Sequence, residues 1–211
     1  MTTKENEDRT MNIYLVRHGE TDWNRATKLQ GQVDIDINEN GVAQAEKAAK
    51  RLEQIPFERA FCSPLIRARH TARILIGKRN IQLTADERLK EINFGKWEGM
   101  RYRETMEDSN SPIYNFFKHP GDYAPGEDAE SFEKLYARTG EFVREVLLPL
   151  ERKYETLLVV AHGALNRSIL NPIAGVPVSD FWHFHMGNCA TAVIECKAGN
   201  LKLLDYVDKE P

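Results

Sequence analysis

The chain has 211 residues, 41% of them hydrophobic, and a formal net charge of −3, which suits one substantial core within a single α/β domain. The acidic balance excludes a protein whose whole surface grips nucleic acid, so any anion site has to be local. No run approaches about 18 apolar residues, and residues 1–10, MTTKENEDRT, are too polar for a signal-peptide core, so a soluble, cytoplasmic protein with no membrane partner is expected.

Residues 1–10 have the composition of a disordered or extended N-terminal segment, and the domain is expected over 11–211. MNIYLV (11–16), bounded by glycine, reads as a central strand buried on both faces. NGVAQAEKAAKRL (40–52) places Val42, Ala45, Ala49 and Leu52 on one helical stripe. FERAFCSP supplies a second strand, and SPLIRARHTARILIG a helix with Ser63 as N-cap, Pro64 in the first position and Gly77 past its end. IQLTA is a weak third strand. Residues 92–128 are then irregular and rich in proline and glycine, as in a lid or specificity insert.

A long amphipathic helix is expected from Ser131 to Tyr154, with a break at Pro149. TLLVVAHGALNRSIL repeats the opening grammar of strand, polar elbow and helix. CATAVIEC and LKLLDYV flank KAGN as a hairpin. The alternation predicts a three-layer α/β/α sandwich around a mainly parallel, mixed sheet of about six strands. Functional groups in such a fold gather at the carboxyl ends of strands, where both His18 and His162 fall. Cys62, Cys189 and Cys196 lack CxxC spacing and read as reduced, mostly buried thiols.

In YLVRHGETDWN (14–24), an apolar strand ends on Arg17 and His18. A histidine alone would be an ordinary hydrogen-bonded residue, but an adjacent guanidinium in a poorly solvated place calls for an anion. Arg67 lies in the first turn of its helix, where the dipole disfavours a cation unless something anionic compensates. His162 and Gly163 lie at a helix start, a ready anion site. Two arginines, two histidines and a helix terminus in one pocket suit a dianionic phosphoryl group. His183 and His185 would face one way in an extended segment, but with no third ligand nearby no metal site is expected. The basic cluster Arg67, Arg69, His70 and Arg73 is too short, in an acidic chain, to indicate nucleic acid. Trp97, Tyr102, Tyr114, Phe116, Phe117 and Trp182 are read as lid packing before pocket lining.

LVRHGETDWN, SPLIRARHTA, LKEINFGKWEG and VVAHG, in this order, resemble the histidine phosphatase superfamily, the phosphoglycerate mutase-like family, over about residues 11–206. The resemblance implies that His18 is the nucleophile that becomes phosphohistidine, while Arg17, Arg67 and His162 hold the phosphoryl group. It further implies that Glu91 is the proton donor, that Asn24 and Gly163 contact the phosphate, and that Gln30 and Gly31 lie in the loop beside it. On physical grounds His18 should be aligned through its other nitrogen, and His162 should favour its cationic form beside a dianion. No step requires a metal or an organic cofactor. The expected partner is a small-molecule phosphomonoester, and the resemblance leaves a homodimer open.

Residues 96–130 are net acidic, Tyr102 stands where the family's mutases are expected to carry a lysine, and no Arg-Arg pair occurs. Hydrolysis is therefore the first reading, with a substrate such as α-ribazole phosphate or a sugar phosphate. A cofactor-dependent phosphoglycerate mutase is the alternative, and a non-catalytic phospho-ligand binding module ranks last.

Overall fold

The computed structural model describes residues 9–111 and 113–208. The apolar runs become strands β1 (Thr10–Arg17), β2 (Arg59–Cys62), β3 (Gln82–Ala85), β4 (Thr156–Ala161), β5 (Thr191–Lys197) and β6 (Asn200–Val207). The helices are α1 (Asp22–Arg25), α2 (Glu39–Arg51), α3 (Ile66–Ile76), α4 (Tyr102–Thr105), α5 (Tyr114–Lys118), α6 (Phe132–Phe142), α7 (Leu148–Leu150) and α8 (Gly163–Ile173). Of the expected N-terminal segment only Arg9 and Thr10 lie among the described residues, and Thr10 already begins β1.

The six strands form one mixed sheet in the order β3-β2-β4-β1-β5-β6. The pairs β3-β2, β2-β4 and β4-β1 are parallel, while β5 runs antiparallel to both β1 and β6. Ala198 and Gly199 turn the β5-β6 hairpin with positive φ at both positions, the geometry that matches strand twist. β4 sits between two parallel neighbours and is buried along its whole length, as a strand covered on both faces must be.

One face of the sheet, with Val16, Ala60, Leu158 and Val160, packs on Ala45 and Ala48 of α2 and Ala68, Ala72 and Leu75 of α3. The other, with Ile13, Leu15, Leu157 and Val159, packs on Phe142 of α6 and Leu165 and Ile169 of α8. These are the three layers expected.

The local differences have physical causes. In α2 the buried stripe is Gly41, Ala45, Ala48 and Leu52, in place of the predicted Val42, Ala45, Ala49 and Leu52. In α3 the helix starts at Ile66, not Pro64, because Asp34 from a distant loop accepts from the Ile66 N–H at 2.6 Å and serves as its cap. The long helix opens at Ser131 as expected, then widens into a π-helical turn over Val143–Leu147 and stops after α7. Pro149 has no N–H to return to the preceding turn. Residues 92–128 hold short helical pieces around Ile92, Phe94, Ile113, Phe116 and Tyr123, which pack on Phe132, Leu135 and Phe181 as a third apolar cluster. A backbone ladder, with Leu29 N–H to Met100 and Tyr102 N–H to Thr27, ties this insert to the chain after α1.

Candidate active site

In the parallel β1-β4 pair Arg17 stands opposite Ala161, so the next residue of each strand leaves the sheet at the same edge. Those residues are His18 and His162, whose ring centroids lie 5.2 Å apart. That is close to the ~4.8 Å spacing of neighbouring strands.

His18 Nδ1 lies 2.7 Å from the Gly19 carbonyl oxygen. A carbonyl only accepts, so Nδ1 carries the proton and Nε2 keeps its lone pair. Burial, together with the Arg67 and Arg17 charges, holds this imidazole well below its ordinary value near 6.5, so it is neutral. Alignment through the other nitrogen is thus as expected.

Arg67 is the second residue of α3 and has no exposed surface. Its Nη atoms donate to the carbonyls of Val33 at 2.8 Å and Gly31 at 2.7 Å, and its Nε donates to His162 Nδ1 at 3.3 Å. Accepting at Nδ1 obliges His162 to hold its proton on Nε2, which is buried and has no protein partner. Burial first, then Arg67 and His18, push the His162 imidazole well below 6.5. His162 is thus a neutral donor whose Nε2–H has no protein partner; the cationic form is the expectation beside a bound dianion.

The Arg17 guanidinium donates to the Met186 carbonyl, and its Nε is buried without a partner. A third guanidinium, Arg167, donates to the carbonyls of Phe184 and Gly163, each at 2.8 Å, and lies 4.9 Å from the Trp182 ring centroid. Gly163 sits between two of these groups, since a Cβ there would come within 3.5 Å of both Arg17 Nε and Arg167 Nη1. Burial lowers all three arginines, Arg67 and Arg167 to about 10. Among the described residues none of the three forms an ion pair. Arg67 and Arg167 are buried and Arg17 is half-buried, and the Glu91 carboxylate acts on all three, so the site keeps a surplus of positive charge that an anion would offset.

Glu91 takes a place the sequence does not foretell. Its carboxylate accepts from Ala164 N–H at 3.1 Å, Leu165 N–H at 2.9 Å and its own neighbour Ile92 N–H at 3.0 Å. The N-terminus of α8 is thereby occupied by this acid, and the open anion site expected at His162-Gly163 shrinks to Gly163. Asn24 Oδ1 accepts from the Thr21 N–H at 3.1 Å and Gln30 Oε1 accepts from Thr21 Oγ1 at 2.9 Å, which leaves their amide N–H groups as donors.

These residues surround a cavity of about 510 Å³. Arg17, His18, Asn24, Gln30, Gly31, Arg67, Glu91 and Gly163 all line it, and His162 is fully buried beside them, its ring 5.2 Å from that of His18 and its Nδ1 held by Arg67. The opposite wall is apolar, with Phe94, Tyr102, Met106, Phe116, Phe117 and Trp182, so four of the six aromatics read as packing also face the cavity. His183 pairs with Asp180 and His185 with Asp208. Sequence reasoning missed Arg167 and Lys28, both lining residues. The signal for Arg167 was present, as it is the one charged residue in GALNRSILNPI.

A sequence model of the histidine phosphatase superfamily (branch 1) matches residues 13–209. The chain is 31% identical to the adenosylcobalamin/alpha-ribazole phosphatase of Salmonella typhimurium, over 92% of this chain and 96% of that one. It is also 31% identical to phosphoserine phosphatase 1 of Hydrogenobacter thermophilus, over 86% and 85%. Among solved structures, Bacillus stearothermophilus YhfR superposes with a TM-score of 0.86 at 31% identity, covering 95% of this chain and 98% of that one.

Proposed function

The chain belongs to the histidine phosphatase superfamily, and on that premise we propose that it is a phosphomonoester phosphatase working through phospho-His18 on a small phosphorylated metabolite. The observation that carries this reading is the gathering of Arg17, Arg67 and Arg167 around one cavity with a neutral His18 whose Nε2 keeps its lone pair for attack. Phosphoryl transfer asks mainly for positioning and for neutralisation of the equatorial oxygens, which fixed arginines supply.

In the first half-reaction the His18 Nε2 lone pair forms a bond to phosphorus as the ester P–O bond breaks. The departing oxygen takes the Glu91 proton. Arg17, Arg67 and the His162 Nε2–H hold the phosphoryl oxygens, with Asn24, Gln30 and the Gly163 N–H as further donors and Gly31 anchoring Arg67 through its carbonyl. In the second half-reaction water gives a proton to the Glu91 carboxylate and its oxygen attacks phosphorus. The N–P bond then breaks and inorganic phosphate leaves. Charge is neutralised by the protein's own guanidiniums, so this chemistry calls for no metal or organic cofactor.

The phosphatase names of the relatives favour hydrolysis over mutase transfer. On this reading one domain over 11–211 carries the whole reaction, and the 92–128 insert shapes substrate choice. The acidic chain favours a cytoplasmic metabolite over nucleic acid.

The test is hydrolysis of p-nitrophenyl phosphate in the presence of a metal chelator, by wild type and His18→Ala, with acid-labile label on the wild-type protein. Equal rates in the two proteins overturn the mechanism. Formation of 2-phosphoglycerate from 3-phosphoglycerate faster than hydrolysis, with a bisphosphate primer, would replace phosphatase by mutase.

A further inference from the structure

The segment from Phe184 to Cys189 touches four residues of the site, Arg17, His18, Asn24 and Arg167. The Phe184 carbonyl accepts from Arg167, the Met186 carbonyl accepts from Arg17, and Asn188 Nδ2 donates to the His18 carbonyl at 3.0 Å and approaches Asn24 Oδ1 at 3.3 Å. The Cys189 N–H donates to the Arg17 carbonyl at 3.2 Å. The contact with Met186 is the one protein hydrogen bond of the Arg17 guanidinium among the described residues. Where Arg17 points is therefore decided by where this loop lies.

From the far side the loop is gripped by one carboxylate. Asp208, directly after β6, accepts from the Gly187 N–H through Oδ1 and pairs with His185 Nδ1 through Oδ2. A Cβ on Gly187 would come within 3.0 Å of Asp208 Oδ1, so glycine permits the close approach that this two-point grip requires. His185 and Gly187 flank Met186 on either side, and fixing both fixes the carbonyl between them.

We propose that Asp208 is a positioning residue for phosphoryl transfer, acting through the 184–189 loop to set the Arg17 guanidinium against the phosphoryl oxygens. The reaction is that of the proposed function, on which this inference rests. Asp208 does not itself touch the phosphate. A displaced Arg17 would weaken the hold on the transition state more than it disturbs the fold, and misplacement on the ångström scale costs about 10- to 100-fold in rate.

The experiment is a double-mutant cycle between Asp208→Ala and Arg17→Lys, read as kcat and KM on p-nitrophenyl phosphate. Inorganic phosphate affinity by calorimetry and thermal midpoints are measured on the same proteins. The expected result is a kcat/KM loss of about tenfold or more for Asp208→Ala, recovery of most of it in Asp208→Asn, which keeps an acceptor for Gly187, and little further loss when Asp208→Ala is added to Arg17→Lys. Equal fold-losses from Asp208→Ala in both backgrounds, or wild-type kcat/KM in Asp208→Ala, overturn the proposal. If the wild type hydrolyses nothing, the proposed function fails by itself. The same cycle on phosphate affinity then decides the inference: unchanged affinity in Asp208→Ala overturns it, and a loss absent in the Arg17→Lys background upholds it.

Discussion

The Arg67 Nε donates to His162 Nδ1 across 3.3 Å, and that contact decides which end of His162 can serve a substrate. With Nδ1 engaged as an acceptor, the imidazole is neutral and presents Nε2–H to the site. A buried guanidinium thus fixes a tautomer, and the two groups act as a unit, so their deletions should not add.

Neutral, buried His18 and His162 have a consequence for acid stability. Both lie well below 6.5 in the folded protein, so at mildly acidic pH the unfolded chain binds protons that the folded one does not. Stability is therefore full above about pH 6.5 and is lost as the pH falls towards the folded values. Urea midpoints of the ligand-free protein should drop between about pH 7 and 5, with a shallower slope in His162→Gln. A midpoint that rises on acidification contradicts the assignment. His162→Ala, which removes the Nε2–H donor outright, should lower kcat by about 100-fold or more, as loss of an oxyanion donor does.

Glu91→Gln separates proton donation from phosphate binding. A good leaving group departs without a proton, so p-nitrophenyl phosphate should be hydrolysed at close to the wild-type first-step rate. An alkyl phosphate should slow by about 100-fold or more. Equal losses on both substrates, in single-turnover measurements, would assign Glu91 to holding the α8 terminus alone.

Thr71 connects the nucleophile to the clamp. Its Oγ1 accepts from the Gly19 N–H at 3.0 Å and donates to the Arg67 carbonyl at 2.7 Å, and the Gly19 carbonyl in turn orients His18. Thr71→Val keeps the shape and strands the buried Gly19 N–H, at a cost of about 1–3 kcal/mol. Denaturant unfolding should find that loss, accompanied by a fall in kcat. Unchanged kcat in a destabilised protein would limit Thr71 to the core.

Gly31 has φ +52°, and a Cβ there would sit 1.9 Å from Glu98 Oε1. That oxygen accepts from the N–H groups of Gln32 at 2.8 Å and Phe94 at 3.2 Å. Gly31→Ala should cost about 1–2 kcal/mol in backbone conformation alone. Displacement of Glu98 adds to it and loosens the carbonyl that holds Arg67. Unfolding measurements and the KM for p-nitrophenyl phosphate together check this, and an unchanged KM would detach the loop from phosphate binding.

His18, Arg67 and His162 were legible in the sequence because each stands at the end of an apolar strand or the start of a helix, whereas Glu91 was legible only through the resemblance of LKEINFGKWEG to the family. The layers were legible from the same strand and helix runs. What was hidden depends on partners distant in the chain. Asp34 caps α3 from 32 residues away and moves its start, and Glu91 reaches the α8 terminus across 73 residues. The α2 stripe shifts because side chains follow the path of the packed helix, which a window of letters cannot supply. Arg167 stands in mid-helix, away from any strand end, and α8 is buried from Gly163 to Asn171.

The two histidines follow neighbouring strands in register, so the gap between nucleophile and donor is a spacing of the sheet itself. Hydrogen bonds along β1 and β4 act as the ruler, and substitutions in the aromatic wall leave that ruler untouched. On the proposed function, rate and selectivity thus fall to separate mechanical parts of the molecule: a stiff gauge made of strands, and an interchangeable jaw made of the insert and Trp182.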